Sequence, residues 1–476
     1  MLLAGCGASE SLAPSPDAAV DVATADAAVD VTRSDVPGRA DAPFDAERDA
    51  PADVAVDAPL DASTDVARDA APADVVAVPM GPVLYADGPL HSPITSDLAA
   101  HLRSIAARGL GAAQVFSKIG DSITVSTSFL ACFAGANVDL GGREALRPTL
   151  DLYRAGNAGG TDPFRRTSLA ATVGWSASAA LAGTPSPLAR ELSAVHPSAA
   201  VVMFGTNDIQ SRAIFTYGAN LLDIADQLLA AGAIPIFSSV PPRDDDAAAD
   251  LWVPRYDAVA RAVAQSRGVP FVDLHRALLP LPAHGLGPDH IHPNTYLVAA
   301  GYRACDLGPA GLQFGYNTRN LLTLEALHRL AEVTLRGHAA PDADAPRLAG
   351  AGTVADPFLV PSLPFADSRD TSRGGSRVFA RYPCDAAADE SGPEFVYRIT
   401  VTRPTALRAM VITRGTTDVD LQLLDRTATA ASCSVRNDRV ITTTLQPGTW
   451  HLTVDTYVDA AGTHSGEYVL VLVDDG

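Results

Sequence analysis

Short apolar runs alternate with segments of helical periodicity between residues 112 and 273. The apolar runs have the length of strands and cover 112–116, 199–204, 233–240 and 269–273. The segments 219–231 and 256–267 repeat apolar residues at the three- and four-residue spacing of a helix. Two further helices are expected around 295–304 and 319–336. Strands that are apolar throughout are typical of parallel sheets covered on both faces by helices. The alternation therefore predicts an α/β domain with a parallel sheet between two helical layers.

The first apolar run leads into the triplet Gly120-Asp121-Ser122, and residues 123–134 are small and apolar enough to form a helix. A strand that turns sharply into a helix lifts the side chain at the turn out of the backbone. Gly120 permits a close backbone approach at this point, and the N-terminus of the helix favours a negative charge. Ser122 is therefore a candidate nucleophile. Taken alone, the triplet fits an ordinary turn serine equally well.

A nucleophilic serine needs a base, and Asp289-His290-Ile291-His292 offers one. A carboxylate three residues before a histidine can hold one ring nitrogen while the other faces the serine. We therefore expect His292 to be the base and Asp289 the residue that orients it. His290 is less suited to this role because it directly follows Asp289.

The developing oxyanion of such a reaction needs hydrogen-bond donors. The backbone N–H of Ser122 is one candidate. Asn207 offers a side-chain amide, and Gly174 offers a second backbone N–H. Ser122 and Asn207 both follow the end of a predicted strand, and active sites of parallel sheets gather at that edge.

Several histidines and acids near the end of this region raise the alternative of a metal site: His275, His284, His290, His292, Asp273 and Asp289. Their spacings match no compact ligand pattern. We therefore expect neither a metal nor another cofactor.

The candidate residues occur in the order Ser, Gly, Asn and His, and this order resembles the SGNH or GDSL hydrolases. The resemblance spans about residues 111–304 and rests on Gly120-Asp121-Ser122, Gly174, Gly205-Thr206-Asn207-Asp208 and Asp289-x-x-His292-Pro293-Asn294. It departs from the family at Gly174, which lies about fifty residues after Ser122 without the usual Asn-x-Gly-x-Ser-Gly. The resemblance implies a three-layer, flavodoxin-like domain over 81–340 with serine esterase or lipase activity and no metal.

Residues 350–476 change to short alternating strands separated by Gly, Asp and Pro, and this pattern predicts an antiparallel β-sandwich. The pieces Asp418-Val419-Asp420-Leu421, Pro447-Gly448-Thr449-Trp450 and Ser465-Gly466-Glu467-Tyr468 resemble bacterial PPC (pre-peptidase C-terminal) modules. The carboxylates of Asp418 and Asp420 are expected to face outward at a strand end, with a calcium site as the alternative. The polar stretch 338–347 predicts a hinge between the two domains.

The N-terminal stretch 7–80 is rich in Asp, Ala, Val and Pro and contains sixteen acidic and four basic residues. Its aspartates recur every four residues from Asp41, but prolines interrupt the pattern, which indicates an extended linker rather than a helix.

Immediately before this stretch, Leu3-Ala4-Gly5-Cys6 resembles the lipobox of bacterial lipoproteins. Residues 1–6 are therefore expected to be the remnant of a signal peptide, with Cys6 lipidated. The alternative is a free cysteine.

The net charge of −20 argues against nucleic acid as a partner. The sequence lacks a run of eighteen apolar residues, so membrane contact is expected only through the anchor at Cys6.

The four other cysteines could form two bridges in an exported protein. Cys132 with Cys305 and Cys384 with Cys433 are the pairings that stay within one domain, although the sequence leaves the connectivity open.

Together these observations predict an exported serine esterase in the cell envelope or outside the cell. The family resemblance implies a small acyl ester substrate, often an acetyl group on a polysaccharide. Two alternatives remain open: a non-catalytic surface protein that binds carbohydrate or protein, and a lipase for longer acyl chains. The sequence gives no indication of the oligomeric state.

Overall fold

The computed structural model describes residues 81–345 and 347–476. The predicted linker 7–80 and the candidate lipidation site Cys6 lie outside the described residues. In the part of the chain that is described, no helix is both long and apolar enough to cross a membrane. The α/β domain and the C-terminal strands belong to one compact unit.

The α/β domain contains a parallel sheet with the strand order β1-β2-β3-β4. The strand bounds are β1 Ala112–Gly120, β2 Pro197–Met203, β3 Ile234–Ser238 and β4 Phe271–Val272. Nearly every residue of β2 and β3 is buried, as expected for strands covered on both faces. The predicted parallel sheet is confirmed. Gly120 pairs with Met203 at the carboxyl ends of β1 and β2, so the residues after these two strands share one edge of the sheet.

Helices cover both faces of the sheet. Their bounds are α1 Ser96–Ala106, α2 Ser122–Val125, α3 Arg147–Arg154, α4 Ala177–Leu181, α5 Pro187–Val195, α6 Asp208–Ser211, α7 Ile214–Ala230, α8 Ala247–Asp250, α9 Val253–Ser266, α10 Leu274–Leu278 and α11 Gly315–Thr334. One layer is formed by α1, α3 and α11, in which α11 packs against α1 and α3 and all three helices contact the sheet. The opposite layer is formed by α4, α5, α7 and α9. The expected three-layer arrangement is thus present.

Two helices predicted from the sequence are wrong. In place of a helix over 123–134, α2 ends at Val125, because Ser126 is extended and its side chain accepts a hydrogen bond from the Ser128 N–H. In place of a helix over 295–304 there is a hairpin of β5 Leu297–Val298 and β6 Gly301–Tyr302. Gly301 has a φ of 106°, which a helix does not allow.

The C-terminal region forms two sheets of mainly antiparallel strands, in the orders β13-β10-β17-β8 and β12-β11-β14-β9-β7. The bounds are β7 Phe358–Leu359, β8 Phe365–Asp370, β9 Phe395–Val401, β10 Thr405–Thr413, β11 Val419–Leu424, β12 Cys433–Asn437, β13 Val440–Leu445, β14 Gly448–Thr456, β15 Val458–Asp459, β16 Gly462–Thr463 and β17 Glu467–Asp474. Leu407 and Leu470 of one sheet share a buried core with Leu421 and Leu452 of the other. The predicted strand-rich C-terminal fold is confirmed.

Asp420 differs from its prediction. Asp418 is exposed, as expected for a strand-end carboxylate, but Asp420 is only 1% exposed. Its carboxylate forms an ion pair with Arg436, which lies across the β11–β12 pair. Arg436 also lies 3.5 Å from the buried carboxylate of Glu390. An internal cation therefore allows Asp420 to be buried, and its position in the sequence gives no sign of that partner.

The outer face of the β13-β10-β17-β8 sheet packs against α7 and α9 of the α/β domain. Met410, Ile412 and Val471 of this sheet belong to the same buried cluster as the core of the α/β domain. The contact is close at Gly218 of α7, where an added Cβ would lie 2.6 Å from the Ile412 side chain. The two regions therefore share one hydrophobic core rather than meeting across a wet interface.

Ion pairs surround this shared core. Arg414 of the sandwich lies 2.7 Å from both Asp223 and Asp226 of α7. Arg267, at the end of α9, pairs with Asp226 and with Glu467 of β17. Because these charged side chains are partly exposed, their ion pairs add little to the free energy of unfolding. Their main effect is to fix the orientation of the two regions.

Two acids of the stretch predicted as a hinge, 338–347, contact the α/β domain. Asp342 accepts a hydrogen bond from the Ile94 N–H at 2.6 Å and pairs with Arg329 at 2.6 Å. Asp344 accepts one from the Ser96 N–H at 2.9 Å. The acids that make this stretch look like a polar linker therefore hold it against the start of α1.

Two disulfide bonds join Cys132 to Cys305 and Cys384 to Cys433, with Cα–Cα distances of 5.7 and 5.6 Å. The first connects the segment after α2 to the segment after the β5–β6 hairpin. The second lies within the sandwich. Both are pairings that the sequence left open.

The shared core predicts that the two regions unfold together. Ile412→Ala should lower the free energy of unfolding by about 2–4 kcal/mol in a single transition, because it leaves a cavity between α7 and β10. Calorimetry measures this, with Val378→Ala at a 61% exposed position as the control that leaves the transition unchanged. Two separate transitions, of which Ile412→Ala shifts only one, would show that the regions are independent domains.

Candidate active site

Ser122 lies where β1 passes into α2. Gly120 ends the strand, and a Cβ added there would be 2.5 Å from the Met203 carbonyl oxygen, so the turn requires glycine. Asp121 caps the helix, since its Oδ1 accepts a hydrogen bond from the Ile123 N–H at 3.0 Å. Ser122 is then the first residue of α2 and remains accessible to solvent.

Ser122, His292 and Asp289 form one hydrogen-bonded series. Ser122 Oγ lies 2.8 Å from His292 Nε2, and His292 Nδ1 lies 2.6 Å from Asp289 Oδ2. When Nδ1–H donates to the carboxylate, Nε2 is left as the acceptor for the serine hydroxyl. The structure therefore brings together the three residues that the sequence indicates as nucleophile, base and orienting acid.

The carboxylate of Asp289 is held by its own turn. Its Oδ1 accepts hydrogen bonds from the backbone N–H groups of His292 at 3.0 Å and Ile291 at 3.1 Å. Partial burial raises the pKa of Asp289, but these bonds and the His292 ring outweigh it and hold the pKa below its usual range. Asp289 is therefore ionised at neutral pH.

Asn294 fixes the loop that carries His292. Its side-chain amide donates to the Leu286 carbonyl at 3.0 Å, and its Oδ1 accepts from the Gly315 N–H at 2.8 Å. Gly287 N–H also donates to the His292 carbonyl at 2.7 Å. These bonds join the two ends of the loop to each other, and Asn294 joins the loop to the start of α11.

The candidate oxyanion donors lie on two neighbouring loops. Asn207 Nδ2 donates to the Trp175 carbonyl at 3.0 Å, next to Gly174. The loop is joined to β1, because the Thr172 N–H donates to the Gly120 carbonyl at 3.2 Å. Gly174 has a φ of 77°, which favours glycine. The backbone N–H groups of Gly174 and Ser122 have no acceptor among the described residues.

Asp208 has a function in the structure that its sequence position does not reveal. Its carboxylate accepts the Ala177 N–H at 3.0 Å, at the start of α4 and three residues beyond Gly174. The side chain is buried, and burial raises the pKa of Asp208 to about 6, although the Ala177 N–H partly offsets the rise. Asp208 thus positions the segment that carries Gly174.

Arg319 of α11 supports the serine turn from behind. It is 4% exposed, donates to the Ile123 carbonyl at 2.7 Å and to Thr124 Oγ1 at 3.1 Å, and lies 3.6 Å from the centre of the Phe129 ring. Burial lowers the pKa of Arg319 to about 10. Burial also raises the pKa of Asp121 to about 6, and the Arg319 guanidinium limits that rise. The first half of α11 is buried on all sides although it contains polar residues such as Arg319. That run of polar residues in the sequence is the signal that could have indicated the supporting role of Arg319.

Three of the four histidines of the alternative metal site lie beside three different carboxylates. His284 lies 2.9 Å from Asp244, His275 lies 3.7 Å from Asp257, and His292 contacts Asp289. Across residues 81–345 and 347–476, no group of three or more His, Cys, Asp or Glu side chains is arranged to hold a metal ion.

Residues 119–304 match the model of the GDSL-like Lipase/Acylhydrolase family. This span contains all the candidate residues, namely Ser122, Gly174, Asn207, Asp289 and His292, and it forms a GDSL-like acylhydrolase domain. The chain has no significant match among curated protein sequences.

Solved structures that are similar to the chain include a GDSL-like lipase from Bacteroides thetaiotaomicron, with 15% identity, a TM-score of 0.29, and coverage of 49% of this chain and 97% of that one. An acetylxylan esterase from Geobacillus stearothermophilus has 16% identity, a TM-score of 0.29 and coverage of 46% and 95%. An α/β hydrolase from the metagenome of Lake Arreo has 18% identity, a TM-score of 0.30 and coverage of 46% and 97%.

The raised pKa of Asp208 predicts a pH-dependent cost to stability. Between its unfolded pKa near 3.8 and its folded pKa of about 6, the native state binds more protons, so Asp208 lowers stability as the pH rises through this window. Asp208→Asn keeps an oxygen for the Ala177 N–H and removes the charge. From pH 4 to pH 7.5 its free energy of unfolding should gain on the order of 2 kcal/mol relative to the native chain.

Urea denaturation across this pH range measures the difference. Asp151→Asn, at a 58% exposed position, is the matched control that removes one carboxylate from the surface. A difference between Asp208→Asn and the native chain that does not change with pH would contradict the raised pKa.

Proposed function

We propose that this chain is a serine esterase that hydrolyses carboxylic esters through an acyl-enzyme. The hydrogen-bonded series from Ser122 through His292 to Asp289 is the observation that carries the proposal. The GDSL-like acylhydrolase domain over 119–304 gives the reaction class. Other side chains in the domain then act by holding this series in place.

In the first half of the reaction Ser122 Oγ attacks the carbonyl carbon of the ester. His292 Nε2 takes the serine proton as the new C–O bond forms, and Asp289 stabilises the imidazolium through its bond to Nδ1. His292 then gives the proton to the leaving alkoxide, the ester C–O bond breaks, and the acyl group remains on Ser122. In the second half, water repeats these steps and releases the carboxylic acid.

The tetrahedral oxyanion is stabilised by the N–H groups of Ser122 and Gly174 and by the amide of Asn207. The Trp175 carbonyl orients the Asn207 amide by holding one of its hydrogens. The other contact of this amide, with Asp121 Oδ2, is 3.5 Å long, at the limit of a hydrogen bond. The second amide hydrogen is therefore free to donate to the oxyanion.

The proposed substrate is a short acyl ester, such as an acetyl ester, on a carbohydrate. The side chains of Asp289 and His292 are 50% and 37% exposed, so the reacting groups lie at an open surface. An open site accommodates a bulky alcohol such as a sugar within a polymer. The acetyl preference is what the family resemblance implies.

A lipase for longer acyl chains is a second candidate. Val173, next to Gly174, is 69% exposed, and Leu169 and Val125 on either side of the serine turn are 44% and 39% exposed. Apolar side chains at the surface of an active site can contact a long acyl chain.

We also propose that the protein is exported and anchored to a membrane by lipid on Cys6. The two disulfide bonds support an oxidising compartment, and Leu3-Ala4-Gly5-Cys6 supports the anchor.

The triad predicts a sharp loss of turnover without a loss of fold. Ser122→Ala should lower kcat for p-nitrophenyl acetate on the order of 10⁶-fold, and Asp289→Asn by about 10⁴-fold through the wrong histidine tautomer. Ser104→Ala, a serine on α1, is the matched control with full activity. Full activity in Ser122→Ala would refute the mechanism, and an inactive native chain would favour the binding-protein alternative.

The two substrate candidates predict opposite trends along a series of p-nitrophenyl esters from acetyl to dodecanoyl. A short-acyl esterase should show kcat/KM falling with chain length, because its acyl site contributes contacts only near the carbonyl. A rise in kcat/KM toward the long esters would reject the acetyl proposal in favour of the lipase.

The anchor predicts that lipid is incorporated at one residue. In a bacterial host that processes lipoproteins, an exported form of the chain should incorporate labelled palmitate and partition into detergent. Cys6→Ser should abolish both, with Cys132→Ser as the control for general loss of a cysteine. Equal labelling of Cys6→Ser would disprove the proposal.

A further inference from the structure

A cavity of about 100 Å³ lies beside α2, and we call it the α2 cavity. One side is formed by the residues that follow Ser122, from Thr124 to Thr127, and the other by 165–168 and Ala171. One ordered water needs about 10–15 Å³ on a comparable measure, so the cavity has room for a group of several heavy atoms.

The α2 cavity is adjacent to the proposed reaction centre. Thr124 is two residues beyond Ser122 in the same helical turn, which places their Cα atoms about 5 Å apart. On the other side, Ala171 pairs with Gly120 in a backbone bridge and begins the loop that carries Gly174. The α2 cavity therefore borders both the helix that carries Ser122 and the loop that carries Gly174.

The charged side chains that line the α2 cavity are all cationic. Lys118, Arg165 and Arg166 line it, and none of its described lining residues is acidic. Thr127, Thr167 and Ser168 add hydroxyl groups. Cationic and hydroxyl donors without a carboxylate are the chemistry that binds an anion.

The three cations differ in how fully they are already paired. Arg166 forms two bonds, at 2.9 and 2.8 Å, with the fully buried carboxylate of Glu191, so its charge is matched. Arg165 is 60% exposed and lies 3.8 Å from Asp162, with one N–H on the Ala134 carbonyl at 3.3 Å. Its guanidinium therefore keeps N–H groups free for a ligand.

Lys118 is the buried member of the set. The residue is 9% exposed and donates to the Phe164 carbonyl at 2.9 Å, which uses one of its three N–H donors. Burial lowers the pKa of Lys118 to about 8, although Asp162 and Glu191 oppose that change. A poorly hydrated ammonium gains more from an anionic partner than a lysine in water does.

We propose that the α2 cavity binds a carboxylate of the ester substrate, with Arg165 and Lys118 as its specificity-determining residues. The inference rests on the proposed esterase function and names its substrate class as esters with a carboxylate close to the reacting carbonyl. That carboxylate has two sources, an acidic sugar on the alcohol side or a dicarboxylic acid on the acyl side. The cavity chemistry is the same for both.

Matched pairs of substrates separate the two sources. The alcohol arm compares acetate release from acetylated glucuronic acid and acetylated glucose. The acyl arm compares p-nitrophenyl hemiglutarate with p-nitrophenyl valerate. Hydrogen bonds to a charged partner predict that kcat/KM of the native chain is about tenfold or more higher for the acidic member of one pair. The preference should weaken in 0.5 M NaCl.

Arg165→Gln is the leading variant because its exposed side chain is tolerant of substitution. It should lower kcat/KM for the acidic substrate about tenfold and leave the neutral substrate within about twofold. Lys118→Met tests the buried cation in the same way. Arg398→Gln, at an exposed position on the sandwich, is the matched control for loss of one positive charge.

The outcomes distinguish this inference from the proposed function. Without turnover of any ester, the esterase proposal itself fails. Turnover of neutral esters with no acidic preference in either arm overturns only the carboxylate site. An acidic preference that Arg165→Gln and Arg398→Gln reduce equally would reflect net charge and would also overturn it. If Arg165→Gln, but not Arg398→Gln, reduces the preference for the acidic substrate in one arm, the carboxylate site in the α2 cavity is supported. The arm in which this happens identifies whether the carboxylate belongs to the alcohol or to the acyl group.

Discussion

The imidazole of His292 joins two parts of the chain that lie 170 residues apart in sequence. Its contacts are short and directional, so they require that the serine turn and the histidine loop keep a fixed separation. The serine turn is fixed by the close approach of Gly120 to β2. The histidine loop is fixed by Asn294 through the start of α11.

The same helix supports both sides of the site. Gly315, at the start of α11, binds the histidine loop, and Arg319, one turn later, binds the carbonyl of Ile123 behind the serine. The disulfide bond between Cys132 and Cys305 joins the segment that follows the serine turn to the segment that follows the histidine loop. Because α11 begins at Gly315, this support comes from residues beyond the matched span 119–304.

Buried charge is the cost of this arrangement. Asp121, Asp208 and Arg319 lie behind the reacting groups with little or no exposure. Burial raises the pKa of both acids to about 6, so the native state holds two carboxylates that are destabilised at neutral pH. Sites that need fixed dipoles often carry such a cost in stability, and the core shared with the sandwich contributes burial that offsets it.

Local patterns in the sequence predicted the fold because apolar strand runs and strand-end motifs are themselves local. They predicted the parallel sheet, the antiparallel strands and the residues Ser122, Asn207, Asp289 and His292. They did not predict the polar contacts of Asp208, Arg319 and Asp420, since the partners of these residues lie on other elements, 31, 196 and 16 residues away. The stretch 338–347 shows the same limit, because its acids look like a linker until their partners at Ile94 and Ser96 are known.

The central claim is that Ser122 is a nucleophile activated by His292. Labelling of the native chain with a fluorophosphonate, followed by peptide mass spectrometry, tests it most directly because the reagent reacts with an activated serine. The account predicts one adduct per chain on Ser122, much slower labelling in Asp289→Asn, and none at this position in Ser122→Ala. Labelling at another serine, or an unlabelled native chain with intact fold, would contradict it.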